Sequence, residues 1–340
     1  MCRYPGADRG YDEFQRRLDV PLFESENQIW LSEVIAMSSA GLQTAAEPVL
    51  ETPKPAVPEW KRKYRKFVKN PIGIIGLVMV LLIIFISIAA PLLTSHDPIE
   101  VNLEKKLQPP VWQEGGTWEH WLGTDEVGRD VWARLVYGSR VSLSVGFFAV
   151  VISLALGTAL GILAGYFRGK TDFAISTVID IMMAFPFILL ALATIAVMGP
   201  SLLNMILVLG LTDWTQYARL VRGDVISLRE QEFIQAGYAL GSRHWRIIWR
   251  HLLPNCLPSV IVLATLAMAR AILMESSLSF LGLGVSSPTP SWGFMMSTGR
   301  PYIATAWWLA TLPGIAILIT VLGINLAGDR IRDMLDPKVD

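Results

Sequence analysis

Six apolar runs, each long enough to cross a hydrocarbon layer, constrain this chain more than any other feature. They read as Ile72 to about Leu93, Val141 to Tyr166, Ala174 to Met198, about Ser201 to Leu220, Leu257 to about Gly284, and Ala306 to about Leu326. In lipid no water is present to satisfy backbone N–H and C=O groups, so a run of this length must be a helix. The expected fold class is therefore an all-α integral membrane protein with six transmembrane helices. With 52% hydrophobic and only 17% charged residues, the chain is too apolar for a routine soluble domain.

Charge distribution orients the spans. Lys61, Arg62, Lys63, Arg65, Lys66 and Lys69 immediately precede the first run, which places the N-terminus in the cytoplasm. Six crossings then return the C-terminus, with Arg330, Arg332 and Lys338, to the same side. Arg168, Lys170, Arg219, Arg222, Arg229, Arg243, Arg246 and Arg250 fall there too. Residues 94–140 become an extracytoplasmic segment, although Lys105, Lys106, Arg129, Arg134 and Arg140 run against the rule. Residues 1–59 mix charge, Ser, Gln and Pro without an apolar core, so they read as a poorly ordered cytoplasmic extension and not a signal peptide. The membrane-spanning remainder covers 60–340.

Several motifs invite chemistry and do not sustain it. Gly169–Lys170–Thr171 would need a glycine five residues earlier to form a P-loop, and Ala164 stands there. ATP binding by this chain is not expected. Thr124 to Asp130 concentrates carboxylates without the alternating ligand register of a calcium loop; Thr124 or Asp125 is expected to cap a short interfacial helix containing Val131, Trp132 and Leu135. His96, His120, His244 and His251 are scattered, and no metal-ligand spacing or nucleophile–base pair stands out. No cofactor or metal is expected in this chain, and zero net charge offers no basis for nucleic-acid binding. Cys2 and Cys256 read as free thiols.

Four charges fall within or beside apolar runs: Asp180, Asp213, Arg270 and Glu275. Each costs about 2.5–3.5 kcal/mol at a helix centre. They are expected to line a pathway or to pair at a subunit interface, with the two readings equally open.

The most informative polar stretch is Glu232 to Pro254, EFIQAGYALGSRHWRIIWRHLLP. Trp245, Ile248, Trp249 and Leu252 recur on one helical face, with Arg243, Arg246 and Arg250 on the other. The pattern predicts a helix from about Ser227 to Leu240, a turn at Gly241, and a second helix capped by Ser242 and stopped by Pro254. A helix pair exposing Trp and Ile suggests a partner's groove.

This stretch, 227–254 with its flanks, resembles the EAA loop of inner-membrane permease subunits of ABC importers. Gln235, Ala236 and Gly237 occupy the triplet, followed by Gly241, Ile247, Leu253 and Pro254. Gln235 and Gly237 depart from the pattern, and Glu232 stands one turn before. LGTDEVGRDVWARLVYGSRVSL from Leu122, ESSLSFLGLG from Glu275 and GDRIRDMLDPK from Gly328 narrow the resemblance to the OppC/DppC-like permeases of the peptide and nickel branch. The resemblance implies a subunit pairing with a second homologous permease around a central path. Two cytosolic ABC ATPases, carrying ATP and Mg, and an extracytoplasmic solute-binding protein would complete the importer. It further implies ATPase coupling through Glu232, Gln235, Ala236, Gly237, Gly241, Ile247, Leu253 and Pro254. Dipeptides or oligopeptides are the expected cargo; nickel or another small solute, or a self-contained transporter or channel in the inner membrane, are the alternatives.

Overall fold

The computed structural model describes residues 71–285 and 288–335. The extension 1–59, the basic cluster at 61–69 and Lys338 lie outside them. The described residues form helices, short turns and one isolated bridge between Thr124 and Asp130.

The helices are α1 (Pro71–Ile88), α2 (Val131–Phe167), α3 (Gly169–Ala184), α4 (Phe187–Met198), α5 (Leu202–Arg229), α6 (Glu232–Ala239), α7 (His244–Ile247), α8 (Leu253–Phe280), α9 (Trp292–Gly299) and α10 (Trp308–Leu335). Among the described residues, four helical stretches are long and apolar enough to cross a membrane: α1, α2, the continuous His244–Phe280 stretch and α10. The bent pair α3–α4 makes a fifth if counted as one span. Helix α5 is long enough, but Asn204, Asp213, Gln216 and Arg219 dilute its apolar character.

Several expected boundaries change. The run 174–198 is not one helix: α3 and α4 meet at an angle of 88°. Pro186 has no N–H to continue α3 and forces the residue before it out of the helical region; Phe185 is extended, at ψ 131°. Their 16 and 12 residues make rods of about 24 and 18 Å at 1.5 Å per residue, each short of a ~30 Å hydrocarbon core. Helix α2 begins ten residues before the expected span, at Val131, because Asp130 and not Thr124 or Asp125 is its cap. The Asp130 carboxylate accepts the Ala133 N–H at 2.7 Å. The early turns of α2 carry two arginines that the apolar pattern excludes, and both find carbonyls. Arg134 donates to Pro98 O at 3.1 Å, and Arg140 to Ser87 O and Ile88 O at 2.6 and 2.9 Å, closing the C-terminal end of α1.

Small residues set the packing. Along α2, Ser153, Gly157, Gly161 and Gly165 recur every fourth residue, one stripe on one helix face. The Ser153 hydroxyl donates to Gly210 O of α5 at 2.8 Å. The three glycines lie directly against α5 at Trp214, Tyr217, Ala218, Val221 and Val225, where any added Cβ would meet backbone or Cβ atoms. In the absence of a hydrophobic force between helices in lipid, this close backbone approach is what gives dispersion its reach. Elsewhere α1 packs on α10, with Gly76 under Leu326 and Gly323 under Met79, and Gly146 of α2 receives Ile272 of α8.

Candidate functional site

The loop between α5 and α8 is built as an anchored bracket. Helix α5 runs to Arg229, two residues turn, and α6 restarts at Glu232, so the single helix expected from Ser227 to Leu240 is two. The Gln235 amide donates to Arg229 O at 2.7 Å and satisfies a carbonyl at the end of α5. Gln235, standing where the family pattern has an acid, thus serves a local cap. Helix α6 then ends in a Schellman motif. Ser242 N–H donates to Gly237 O at 3.0 Å and Gly241 N–H to Tyr238 O at 2.9 Å, which requires a left-handed residue at Gly241, φ +73°.

Two expectations about the second helix fail. Ser242 does not cap it: Arg243 occupies the N-cap position and no side chain bonds the first turn. Pro254 does not stop it either, since α7 continues through a π-helical turn at Ile248–Leu252 into α8. Leu253 N–H bonds Ile248 O, five residues back. This wider turn accommodates a proline that has no N–H of its own and whose ring would otherwise strike the preceding turn.

The apolar residues of the bracket face two ways, and the sequence pattern does not separate them. Ile234, Ile247, Ile248 and Leu252 are buried in a cluster with Tyr166, Val225 and Cys256, and Leu253 packs on its edge. Ile247, expected to meet a partner, is fully enclosed by this chain. Outward stand Leu240, 86% exposed, Trp245, 68%, and Trp249, 53%; the two indoles meet edge-on with centroids 5.2 Å apart. Around them Glu232, Ala236, Arg243, Arg246, Arg250 and Pro254 are exposed and Gly237 is half-buried. Glu232 lies in the first turn of α6, where the helix dipole favours an acid.

Residues outside the loop hold it, and the apolar pattern gives no warning of them. The Tyr166 hydroxyl at the end of α2 lies 2.6 Å from His244 Nδ1, and its ring stacks with Tyr238. Arg229 lies over the Tyr166 ring and donates to Tyr166 O. Arg168 pairs with Glu230 at 3.1 Å. Tyr166, ending an apolar run just before a charged turn, is the one sequence signal that could have pointed here.

The four intramembrane charges separate. Glu275 is fully buried, receiving hydroxyls from Ser142, Ser276 and Ser279 at 3.1, 3.3 and 2.8 Å. It is enclosed by this chain, and its desolvation is offset by donors inside it. Arg270 donates to Gln216 Oε1 at 2.6 Å across α8 and α5. Asp180 pairs with Arg219 at 3.2 Å, with both side chains more than half exposed. Asp213 is half-buried on α5.

Comparison with known proteins agrees with this architecture. Residues 157–340 match the family described as binding-protein-dependent transport system inner membrane component. Residues 59–110 match the N-terminal TM domain of oligopeptide transport permease C. The chain is 48% identical over 284 residues to the dipeptide transport system permease protein DppC of Alkalihalophilus pseudofirmus, covering 84% of this chain and 91% of that one. It is 42% identical to the di/tripeptide transport system permease protein DppC of Pseudomonas aeruginosa, over 87% and 96% of the two chains. To the glutathione transport system permease protein GsiD of Pectobacterium atrosepticum it is 37% identical, again over 87% and 96%. Among solved structures, a chain of the inward-facing MetNI methionine ABC transporter shares the fold at a TM-score of 0.50 and 22% identity, covering 59% of this chain and 96% of that one.

Proposed function

The chain belongs to the family of binding-protein-dependent transport system inner membrane components, a multi-pass permease subunit and not itself an enzyme, and from that premise we propose how it works. It forms half of a translocation path with a second, homologous permease. Two cytosolic ABC ATPases, binding ATP and Mg, engage the bracket of α6 and α7. A solute-binding protein delivers cargo to the opposite face, formed by the residues between α1 and α2 and those around α9. The cargo is a dipeptide or short oligopeptide, the class named for its relatives in Alkalihalophilus and Pseudomonas.

The observation that carries this reading is the two-faced bracket. Its inner face is fixed to α2 and α5, while Leu240, Trp245 and Trp249 are presented outward. A knob of exposed aromatic residues on a fixed base transmits a push, because a displacement of Trp245 moves Ile247 and with it Tyr166 and Val225. ATP-driven closure of the ATPases would use this lever to change access to the path.

Co-purification of the chain from its native membrane, followed by mass spectrometry, tests the assembly; two ATPases and a second permease are expected. Uptake of a labelled dipeptide by the reconstituted complex, against uptake of nickel, tests the cargo. Transport by this chain alone in proteoliposomes, without ATPase or binding protein, would sink the reading.

A further inference from the structure

Between α1 and α2 the chain folds back so that His96 and His120, 24 positions apart in sequence, meet with ring centroids 4.8 Å apart. Glu119 joins them: one ligand atom from each of His96, Glu119 and His120 lies within 4.8 Å of the other two. We propose that these three side chains form a binding site for a zinc-class divalent ion.

The supporting shell is what distinguishes this cluster from a chance meeting of polar groups. His120 is buried, and its Nδ1 lies 2.9 Å from Oδ1 of the equally buried Asp130. That carboxylate fixes the ring by accepting a hydrogen bond from Nδ1–H, which leaves the Nε2 lone pair for a ligand; the same carboxylate–histidine arrangement orients metal-bound imidazoles generally. Asp130 is itself immobilised through its other oxygen by the Ala133 N–H. The adjoining cavity, about 70 Å³, is lined by Asp97, Glu100, Glu119 and Asp130 against one ammonium, Lys105. Room for one water needs only about 10–15 Å³ by this measure, so the space admits an ion with water in its open position.

Two nitrogens and one carboxylate oxygen suit zinc, which takes three protein ligands and leaves a fourth position free. Bonds of roughly 2.0–2.2 Å require the ligand atoms to draw in by about 1 Å. The half-buried His96 and exposed Glu119 have the freedom to do so, while His120 stays fixed. Lys105 holds only Oε1 of Glu119, at 2.5 Å, so Oε2 remains for the ion. A bound ion would staple the chain leaving α1 to the chain entering α2.

The test uses the untagged full-length chain in detergent, titrated with Zn²⁺ and, for a visible spectrum, Co²⁺. One ion per chain is expected, with a Co²⁺ spectrum of nitrogen and oxygen ligation and a raised melting temperature. H96A and E119Q alter exposed or half-buried side chains and leave the Asp130 cap intact; each should weaken Zn²⁺ binding at least tenfold without changing the metal-free melting temperature. Asp130→Asn, which still caps α2, should weaken it by roughly 10–100-fold. Equal Zn²⁺ binding by the wild type and the H96A/E119Q double variant overturns the site, as does displacement of Zn²⁺ by equimolar Ca²⁺, which would reduce it to an oxygen-only acidic cluster.

Discussion

The Tyr166 hydroxyl lies 2.6 Å from His244 Nδ1, joining the last turn of α2 to the first residue of α7. Through this bond the helix that carries the glycine stripe against α5 is tied to the bracket that presents Trp245 and Trp249. Removing the hydroxyl with Y166F leaves the ring stacked on Tyr238 and costs about 1 kcal/mol of loop anchoring. We expect membrane insertion to persist and substrate-stimulated ATPase activity of the reconstituted complex to fall several-fold; unchanged stimulation would show that the bracket does not act through α2.

Trp245 and Ile247 are two residues apart and should fail differently. W245A removes an exposed indole, so the permease should keep its melting temperature while ATPase affinity drops by about 2 kcal/mol, roughly thirtyfold. I247A empties a fully enclosed site and should destabilise the subunit by about 2–4 kcal/mol. Thermal melts paired with an ATPase binding assay separate the two, and equal binding loss without destabilisation in I247A would contradict the two-faced bracket.

Gly241 has open space where a Cβ would stand, so its requirement is conformational and not steric. A side chain at φ +73° costs about 1–2 kcal/mol, with Asn more tolerant. G241N should retain most coupled ATPase activity, G241A less, and G241V least. A ranking by volume, with Asn and Val alike, would point instead to a crowded interface.

Gly161 admits no Cβ, because Ala218 O and Val221 Cβ already occupy the place. G161A should therefore separate α2 from α5 and cost about 1–3 kcal/mol, and G161L more. The readout is the folded fraction extracted from membranes. Gly223, with nothing within 4 Å, is the control, and G223A should be well tolerated.

Glu275 is enclosed with Ser142, Ser276 and Ser279 as donors. E275A strands three buried hydroxyls and leaves a cavity, so a loss of several kcal/mol in stability is expected at about 1–3 kcal/mol per orphaned group. E275Q keeps the shape and one acceptor and should lose markedly less. If E275A folded normally and only transport failed, Glu275 would belong to the path after all.

The chain's class was legible without coordinates, since apolar runs of membrane length leave the backbone only one way to satisfy its own hydrogen bonds. Helix α1 and the region of α2, α8 and α10 follow from that. The pattern of residues 227–254 likewise announced a helix pair around Gly241, the left-handed position that the Schellman motif at the end of α6 requires.

Periodicity could not say which apolar residue is buried by its own chain and which is offered to a partner. Ile248 and Trp245 carry the same signal, and only the packing of Ile248 into the cluster with Tyr166 and Val225 assigns them to opposite faces. Pro186 and Pro254 make the same point from the backbone. One bends the chain by 88° while the other is absorbed in a π turn, because the outcome depends on whether neighbouring turns can re-pair the freed groups. The partners of Glu275, 133 positions from Ser142, and the meeting of His96 with His120 and Glu119 are likewise products of packing. What local sequence determines is each segment's own hydrogen bonding and solvent; which side chains meet across segments is decided by the fit of whole helices, and that exists only in three dimensions.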